Sequence, residues 1–303
     1  MKTLTVGKNE EGLRLDSFLA KLFPKAPKSL IYKWIRKKRI KINGKKQDIS
    51  HRLCEGEEIS LYINDEFFED EKLTRTEEYN GFSKNISVIY EDENILIANK
   101  PKGLSAHCDK TSGKDNLVDY IRAYLFEKGE YNPKSELVFA PQLCHRIDKN
   151  TQGLVIAAKN AKSLRIINEK IKNREIKKFY ILKAEGEFSQ KSGEICGYTK
   201  KDKKNNKVKF SFSPFEGAQE AKTLYRVLEN GLVEAQLETG RGHQIRASFA
   251  AMGHPLSGDV KYGAKKDGKK DYQNLKAYKI IFDFKTDSGH LNYLKGQAVE
   301  LEI

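Results

Sequence analysis

A chain of 303 residues with 38% apolar content is long enough to bury one large core or two smaller ones, and too apolar for a disordered polyelectrolyte. Its 56 Lys and Arg outnumber 42 Asp and Glu, and a net charge of +14 points to a polyanionic partner if the cations cluster. Cys54, Cys108, Cys144 and Cys196 lie far apart, with no C-x-x-C pair and no His at zinc spacing, which argues against a disulfide framework or a metal centre.

Met1–Val6 lacks the apolar run of a signal peptide, and no window reaches the length of a membrane span. A soluble, cytoplasmic protein acting as a monomer is the expectation. Residues 2–6 read as a strand. Leu15, Phe18, Leu19 and Leu22 then line one helical face, with Asp16 near its positive end. Pro24 and Pro27 interrupt, and Ser29 is placed to cap a second helix carrying Ile31, Trp34 and Ile35. Ile40 and Ile42 lead into Asn43-Gly44, a hairpin signal, and Ile49, Leu53, Ile59, Leu61 and Ile63 supply further strand positions.

Between Lys25 and Lys46 stand ten Lys or Arg and no carboxylate. A solvated helix face mixes both signs, so this cluster reads as a nucleic-acid footprint, with Lys33, Arg36, Lys37, Lys38, Arg39 and Lys41 as its centre. Two helices followed by the basic hairpin "RKKRIKINGKK" resemble the small S4-type RNA-binding domain, here assigned to residues 1–63. The sign then inverts between Asn64 and Asn80, so residues 64–85 are expected to be an acidic linker that holds two RNA-facing units apart.

A second domain is expected over residues 86–303. Strands are expected at Val88–Tyr90 and Ile95–Ala98, then the Lys100-Pro101-Lys102-Gly103 break, and an amphipathic helix over 116–125. Next comes His145-Arg146-Ile147-Asp148-Lys149-Asn150-Thr151-Gln152-Gly153, a carboxylate beside a Thr-x-Gly turn, immediately before the apolar run Leu154–Ala158. An Asp in such a turn ordinarily only shapes the chain, so chemistry needs support from elsewhere. A helix over 161–171, a strand over 177–184, an exposed lysine-rich hairpin tip over 200–209 and alternating strands at 225–228 and 233–237 complete the pattern. Many strands and few helices predict an α+β fold built on a mixed, mostly antiparallel sheet, preceded by a small α/β domain.

Four segments in order, "VIYEDENILIANKPKGLSAH", "HRIDKNTQG", "REIKKFYILKAEG" and "TGRGHQIRASFAAMGHPLSGDVKYG", resemble the RluA-type pseudouridine synthases, which modify ribosomal and transfer RNA. The resemblance implies Asp148 as catalytic aspartate, Tyr180 as the aromatic packed on the target uracil, and Arg246 as the basic partner of the carboxylate, a role that suits a guanidinium because it stays charged and can grip both oxygens. It implies Arg146 as the residue that fills the gap left by a flipped nucleotide, or else binds phosphate. His145, Lys178, Arg241, His243, Gln244 and Ile245 are expected around the substrate, Ile245 as a wall; Phe179, on the opposite strand face, is expected in the core.

Ile147, Gln152, Gly242, Ser248 and Lys276 depart from the family's usual residues, which bears on the RNA target rather than the three catalytic positions. The appended S4-like domain implies large-subunit ribosomal RNA, with transfer RNA as the alternative, and the chemistry calls for no metal or cofactor. A carboxylate glycosidase would need a second placed carboxylate, and a non-catalytic RNA-binding or assembly factor would not need the three residues together.

Overall fold

The computed structural model describes residues 1–68, 86–108, 115–133, 136–202, 205–266 and 272–303. The N-terminal unit comprises β1 (Lys2–Thr5), α1 (Leu15–Leu22), α2 (Lys28–Arg36), β2 (Ile40–Ile42) and β3 (Glu58–Leu61), with the strands antiparallel in the order β1-β3-β2. Phe18, Leu19, Ile31, Trp34, Ile35, Ile59 and Leu61 are its buried centre. Asn43 and Gly44 both take positive φ, 47° and 72°, which closes the tight turn after β2.

Three local expectations change. Pro27, not Ser29, is the N-cap of α2, since its fixed φ suits the entry and it has no N–H to satisfy. Ile49, Leu53 and Ile63 lie outside strands, although Leu53 and Ile63 are buried. The short 3-10 helix Asp65–Phe68 folds back on the N-terminal core, with Phe67 edge-on to Trp34 at 5.0 Å and Phe68 edge-on to Phe23 at 5.4 Å. The packing of the N-terminal unit thus runs past residue 63, and most of the expected linker, residues 69–85, lies outside the described residues.

The remaining strands form one 11-stranded sheet. In chain order they are β4 (Ser87–Glu91), β5 (Ile95–Lys100), β6 (Gln142–Leu143), β7 (Gln152–Ala158), β8 (Ile176–Leu182), β9 (Ser192–Asp202), β10 (Lys207–Ser211), β11 (Gln219–Val227), β12 (Val233–Leu237), β13 (Leu275–Phe282) and β14 (Ala298–Glu300). The order is β10-β9-β11-β12-β8-β13-β7-β5-β4, with β14 beside β13 and β6 beside β7. Every pairing is antiparallel except β13 with β7. The helices are α3 (Leu117–Glu127), α4 (Ala161–Lys172) and α5 (Gln244–Ala251). The fold is α+β with a mostly antiparallel sheet.

Both faces of the central strands are covered. Leu96, Ala98, Val155 and Ala157 join the core beneath α3 and α5, while Ile95, Ile97, Leu154 and Ile156 join a second core that includes Ile167 of α4. This two-sided burial is why β5 and β7 read as continuous apolar runs rather than alternating ones. Asn116 and Asn160 cap α3 and α4, each side chain accepting the amide hydrogen three residues on.

The two units are docked. Glu10, 1% exposed, accepts three successive main-chain N–H groups, from Leu137, Val138 and Phe139, on a single oxygen at 2.9, 3.1 and 3.3 Å. Leu137 and Val138 pack on the N-terminal core, and Glu11 pairs with Lys162 of α4 at 3.0 Å. These contacts join the two units directly, between residues well away in sequence from the expected linker. No described helix is long and apolar enough to cross a membrane.

Candidate active site

Asp148 opens a β-turn, closed by the Thr151 N–H donating to its carbonyl at 3.0 Å, in the loop between β6 and β7. Gly153 lies beyond that turn, as a strand residue. Its φ is 126°, and a Cβ at this position would lie 2.0 Å from the Ala277 carbonyl oxygen. That explains the glycine: any side chain would strike β13 where it runs parallel to β7. The other side of the turn is pinned by Lys100. This lysine is fully buried, and its ammonium donates to the carbonyls of Pro101, Leu104 and Lys149 at 3.0, 2.7 and 2.9 Å. Burial pulls it down to about 8, against the opposing charge of Asp148.

Asp148 stands at a cleft of about 260 Å³ whose lining includes Tyr180, Ile245, Arg246 and Lys178. That volume is just below the ~300–1,000 Å³ of drug-sized ligand sites, the scale of a single heterocycle. Tyr180 reaches the cleft from β8, where its neighbours on β12 and β13 are Ala235 and Ala277, small residues that leave room for a phenol ring. Burial first, and the charge of Asp148 second, push its hydroxyl up, so it carries its proton at neutral pH. Phe179 is only half-buried and joins none of the three buried clusters among the described residues, a correction to the core position expected for it.

Arg246, on the first turn of α5, donates from Nη1 to Asp148 Oδ2 at 3.1 Å. The expected two-oxygen grip goes elsewhere. Nε and Nη2 donate to the two oxygens of Asp259 at 2.6 and 2.8 Å, and Asp148 receives one bond. Burial works against the guanidinium charge, but the hydrogen bond and charge of Asp259, followed by those of Asp148, outweigh it and raise Arg246 above its usual value.

His243 precedes α5 with a left-handed φ of 50°, its Nε2 lying 3.9 Å from Asp148 Oδ2 and its Nδ1 2.8 Å from the Tyr262 hydroxyl. Burial lowers His243, with Asp148 opposing and Arg246 reinforcing the shift. Gln244 lines the cleft with its amide fully engaged. It accepts from Thr239 Oγ1 and the Arg241 N–H and donates to the Lys222 carbonyl and Thr223 Oγ1, which fixes the entry to α5.

His145 accepts the Ile156 N–H on Nε2 at 3.2 Å, and burial, helped by the charge of Lys178, pulls it down to about 3. It is a neutral ring tying the Asp148 loop to β7. Burial also lowers Lys178. Arg146 and Arg241 are exposed at the rim, Arg241 donating from Nε to the Glu220 carbonyl. A polar groove leads from this rim past His107 to Lys201 and Lys207 on the β9–β10 hairpin. Lys33, Arg36, Lys37, Lys38 and Arg39 are exposed on the N-terminal unit, and Lys41 lies over the Tyr62 ring at 5.3 Å.

Sequence reasoning gave no role to Asp259 or Tyr262, although both stand in the last of the four segments; their spacing, three residues on one short turn, was the available signal. No group of three or more His, Cys, Asp or Glu is placed to hold a metal among the described residues.

Residues 94–251 match the family described as RNA pseudouridylate synthase, and residues 13–59 match the S4 domain. The chain belongs to the RNA pseudouridylate synthase family. The synthase is an isomerase acting on RNA. It is 33% identical to an RNA pseudouridine synthase of Mycoplasma capricolum subsp. capricolum over 99% of this chain and 97% of that one. It is 33% identical to the ribosomal large subunit pseudouridine synthase D of Borreliella burgdorferi over 90% of this chain and 83% of the relative. With the Escherichia coli protein of the same description the identity is 31% over 87% and 76%. The solved structure of human RNA pseudouridylate synthase domain containing 4 shares the fold, with a TM-score of 0.56 at 20% identity over 77% of this chain and 92% of that one.

Proposed function

We propose that this synthase isomerises uridines of large-subunit ribosomal RNA, with Asp148 as the catalytic carboxylate acting on a base flipped into the cleft. The observation that carries the reading is the convergence of Asp148, Tyr180 and Arg246 on one heterocycle-sized cleft from three segments distant in sequence. The ribosomal target rests on the relatives named ribosomal large subunit pseudouridine synthase D and on the N-terminal S4 match.

The reaction breaks the bond from sugar to ring nitrogen and remakes it to a ring carbon. A carboxylate held beside a retained uracil can act in it as nucleophile or as base. Arg246 sets a hydrogen-bonding cation beside Asp148 at the edge of a partly desolvated site while leaving one carboxylate oxygen outside that hydrogen bond. Tyr180 supplies a flat apolar wall and a protonated hydroxyl. Ile245 closes another wall. Arg146, exposed at the rim, is positioned to occupy the gap in the RNA stack, offsetting an unstacking cost of a few kcal/mol.

Mapping pseudouridines in total RNA, with and without this gene, tests the target. Loss of defined sites in large-subunit ribosomal RNA is expected. Sites lost only from transfer RNA would refute the ribosomal assignment, and no lost site in any RNA would refute the catalytic reading.

A further inference from the structure

We propose that Asp259 and Tyr262 are positioning residues for Asp148, the first by orienting Arg246 and the second by fixing the tautomer of His243. The inference rests on the reading of Asp148 as the catalytic group and goes beyond it to two residues that do not line the cleft. Both sit on the 3-10 turn after α5, Asp259 at its N-cap and Tyr262 at its end.

A guanidinium has five N–H groups in one plane, so occupying one edge dictates where the others point. Asp259, 2% exposed, takes the Nε–Nη2 edge at 2.6 and 2.8 Å. The Tyr262 ring lies 4.9 Å from the guanidinium carbon and covers one face. Edge and face together leave Nη1 directed at Asp148. The charge count matters as well. One cation lies between two carboxylates, the inner one paired twice and the outer one once, so Asp148 is steadied without being locked into a closed pair. A lone Arg–Asp148 pair would claim both oxygens of the acid and compete with the substrate for it.

Tyr262 acts a second time through its hydroxyl. The oxygen accepts the Val208 N–H at 2.8 Å and lies 2.8 Å from His243 Nδ1. With one lone pair committed, the phenol hydrogen is free to donate to Nδ1, and a neutral imidazole that accepts there carries its hydrogen on Nε2. That nitrogen lies 3.9 Å from Asp148 Oδ2, so the ring presents a positive N–H edge to the carboxylate. Val208 belongs to β10, and Lys261 on the same short turn donates to the Asn206 carbonyl. The basic hairpin is therefore fastened to the residues that orient the acid.

The test uses full-length protein, in-vitro-transcribed 23S ribosomal RNA carrying tritium at uracil C5, enzyme in excess, and RNA affinity measured in parallel. Asp259→Asn is expected to slow single-turnover tritium release about 100-fold, the size of effect of an ångström-scale misplacement. Tyr262→Phe keeps the ring and is expected to cost about 10-fold, one hydrogen bond's worth. RNA affinity should stay within about two-fold in both, since neither residue lines the cleft. In a His243→Ala background Tyr262→Phe should cost nothing further, and imidazole nitrogen NMR should show His243 leaving the Nε2–H form in Tyr262→Phe.

Wild-type rates in folded Tyr262→Phe, with an unchanged His243 spectrum, would overturn the proposal even if Asp259→Asn failed to fold. So would a rate loss matched by an equal loss of affinity. An inactive wild-type protein, or an active Asp148→Asn, would instead refute the functional reading on which the proposal rests.

Discussion

Replacing Glu10 by Ala should loosen the N-terminal unit from the rest of the molecule. One carboxylate oxygen there satisfies the amides of Leu137, Val138 and Phe139, and Ala offers them nothing. The amide of Phe139 is buried and those of Leu137 and Val138 part-buried; each left unpaired costs up to about 1–3 kcal/mol, and water entering the gap recovers part of that, so a net loss of about 3 kcal/mol is expected. The chain's one tryptophan, Trp34, is 4% exposed in the N-terminal core and reports this unit by fluorescence. Far-UV circular dichroism reports chiefly the larger second unit, which holds α3, α4, α5 and the 11-stranded sheet. In urea, with a slope of about 2 kcal/mol per M, the Trp34 midpoint should fall by about 1.5 M while the dichroism midpoint moves much less. The Glu10→Gln variant keeps an acceptor oxygen and should lose roughly 1 kcal/mol. A Trp34 midpoint unchanged by Glu10→Ala would refute the docking argument.

Beside this junction Glu136 is pushed up to about 7 by burial, against the hydrogen bond from Asn9 and with reinforcement from the charge of Glu10. A carboxyl raised in the folded state contributes stability that is whole below pH 4.5, its ordinary value, and lost as pH rises through 7. Glu136→Gln should therefore match wild type near pH 4.5 and exceed it at pH 8, by about 1 kcal/mol once solvent screening is allowed for, as urea melts at the two pH values would report. Gly153→Ala should abolish pseudouridine formation and destabilise by more than about 3 kcal/mol, because the added carbon collides with β13 at Ala277; a folded, active variant would contradict the packing described. Changing Lys37, Lys38 and Arg39 to Gln should reduce the slope of log affinity for RNA against log salt by roughly 2–3, which filter binding at several salt concentrations would measure.

The fold class and the central strands were legible because their cause is local. Leu154–Ala158 is a short apolar run bounded by turn residues, and Val233–Leu237 alternates. Helix α5 was not legible as a helix: it begins after His243 in a left-handed conformation, with no Ser, Thr, Asp or Asn cap to announce it. The same holds for the junction, since an isolated Glu10 carries no sign that its partners lie at residues 137–139.

At the site, the motifs located Asp148, Tyr180 and Arg246, and the cleft brings all three together. They did not reveal how Arg246 divides its hydrogen bonds. That depends on Asp259, whose carboxylate becomes its partner only when the turn after α5 packs back on the helix. Gln244 marks the opposite limit, a motif residue whose whole amide serves the backbone and side chains around it.

The most direct measurement is pseudouridine formation by the Asp148→Asn protein. The substitution keeps the shape of the side chain and an acceptor for Arg246 while removing the charge that the proposed attack or proton removal would use. Undiminished RNA binding with no detectable pseudouridine is the expected result; a variant that modifies RNA as fast as the unaltered protein would contradict the account.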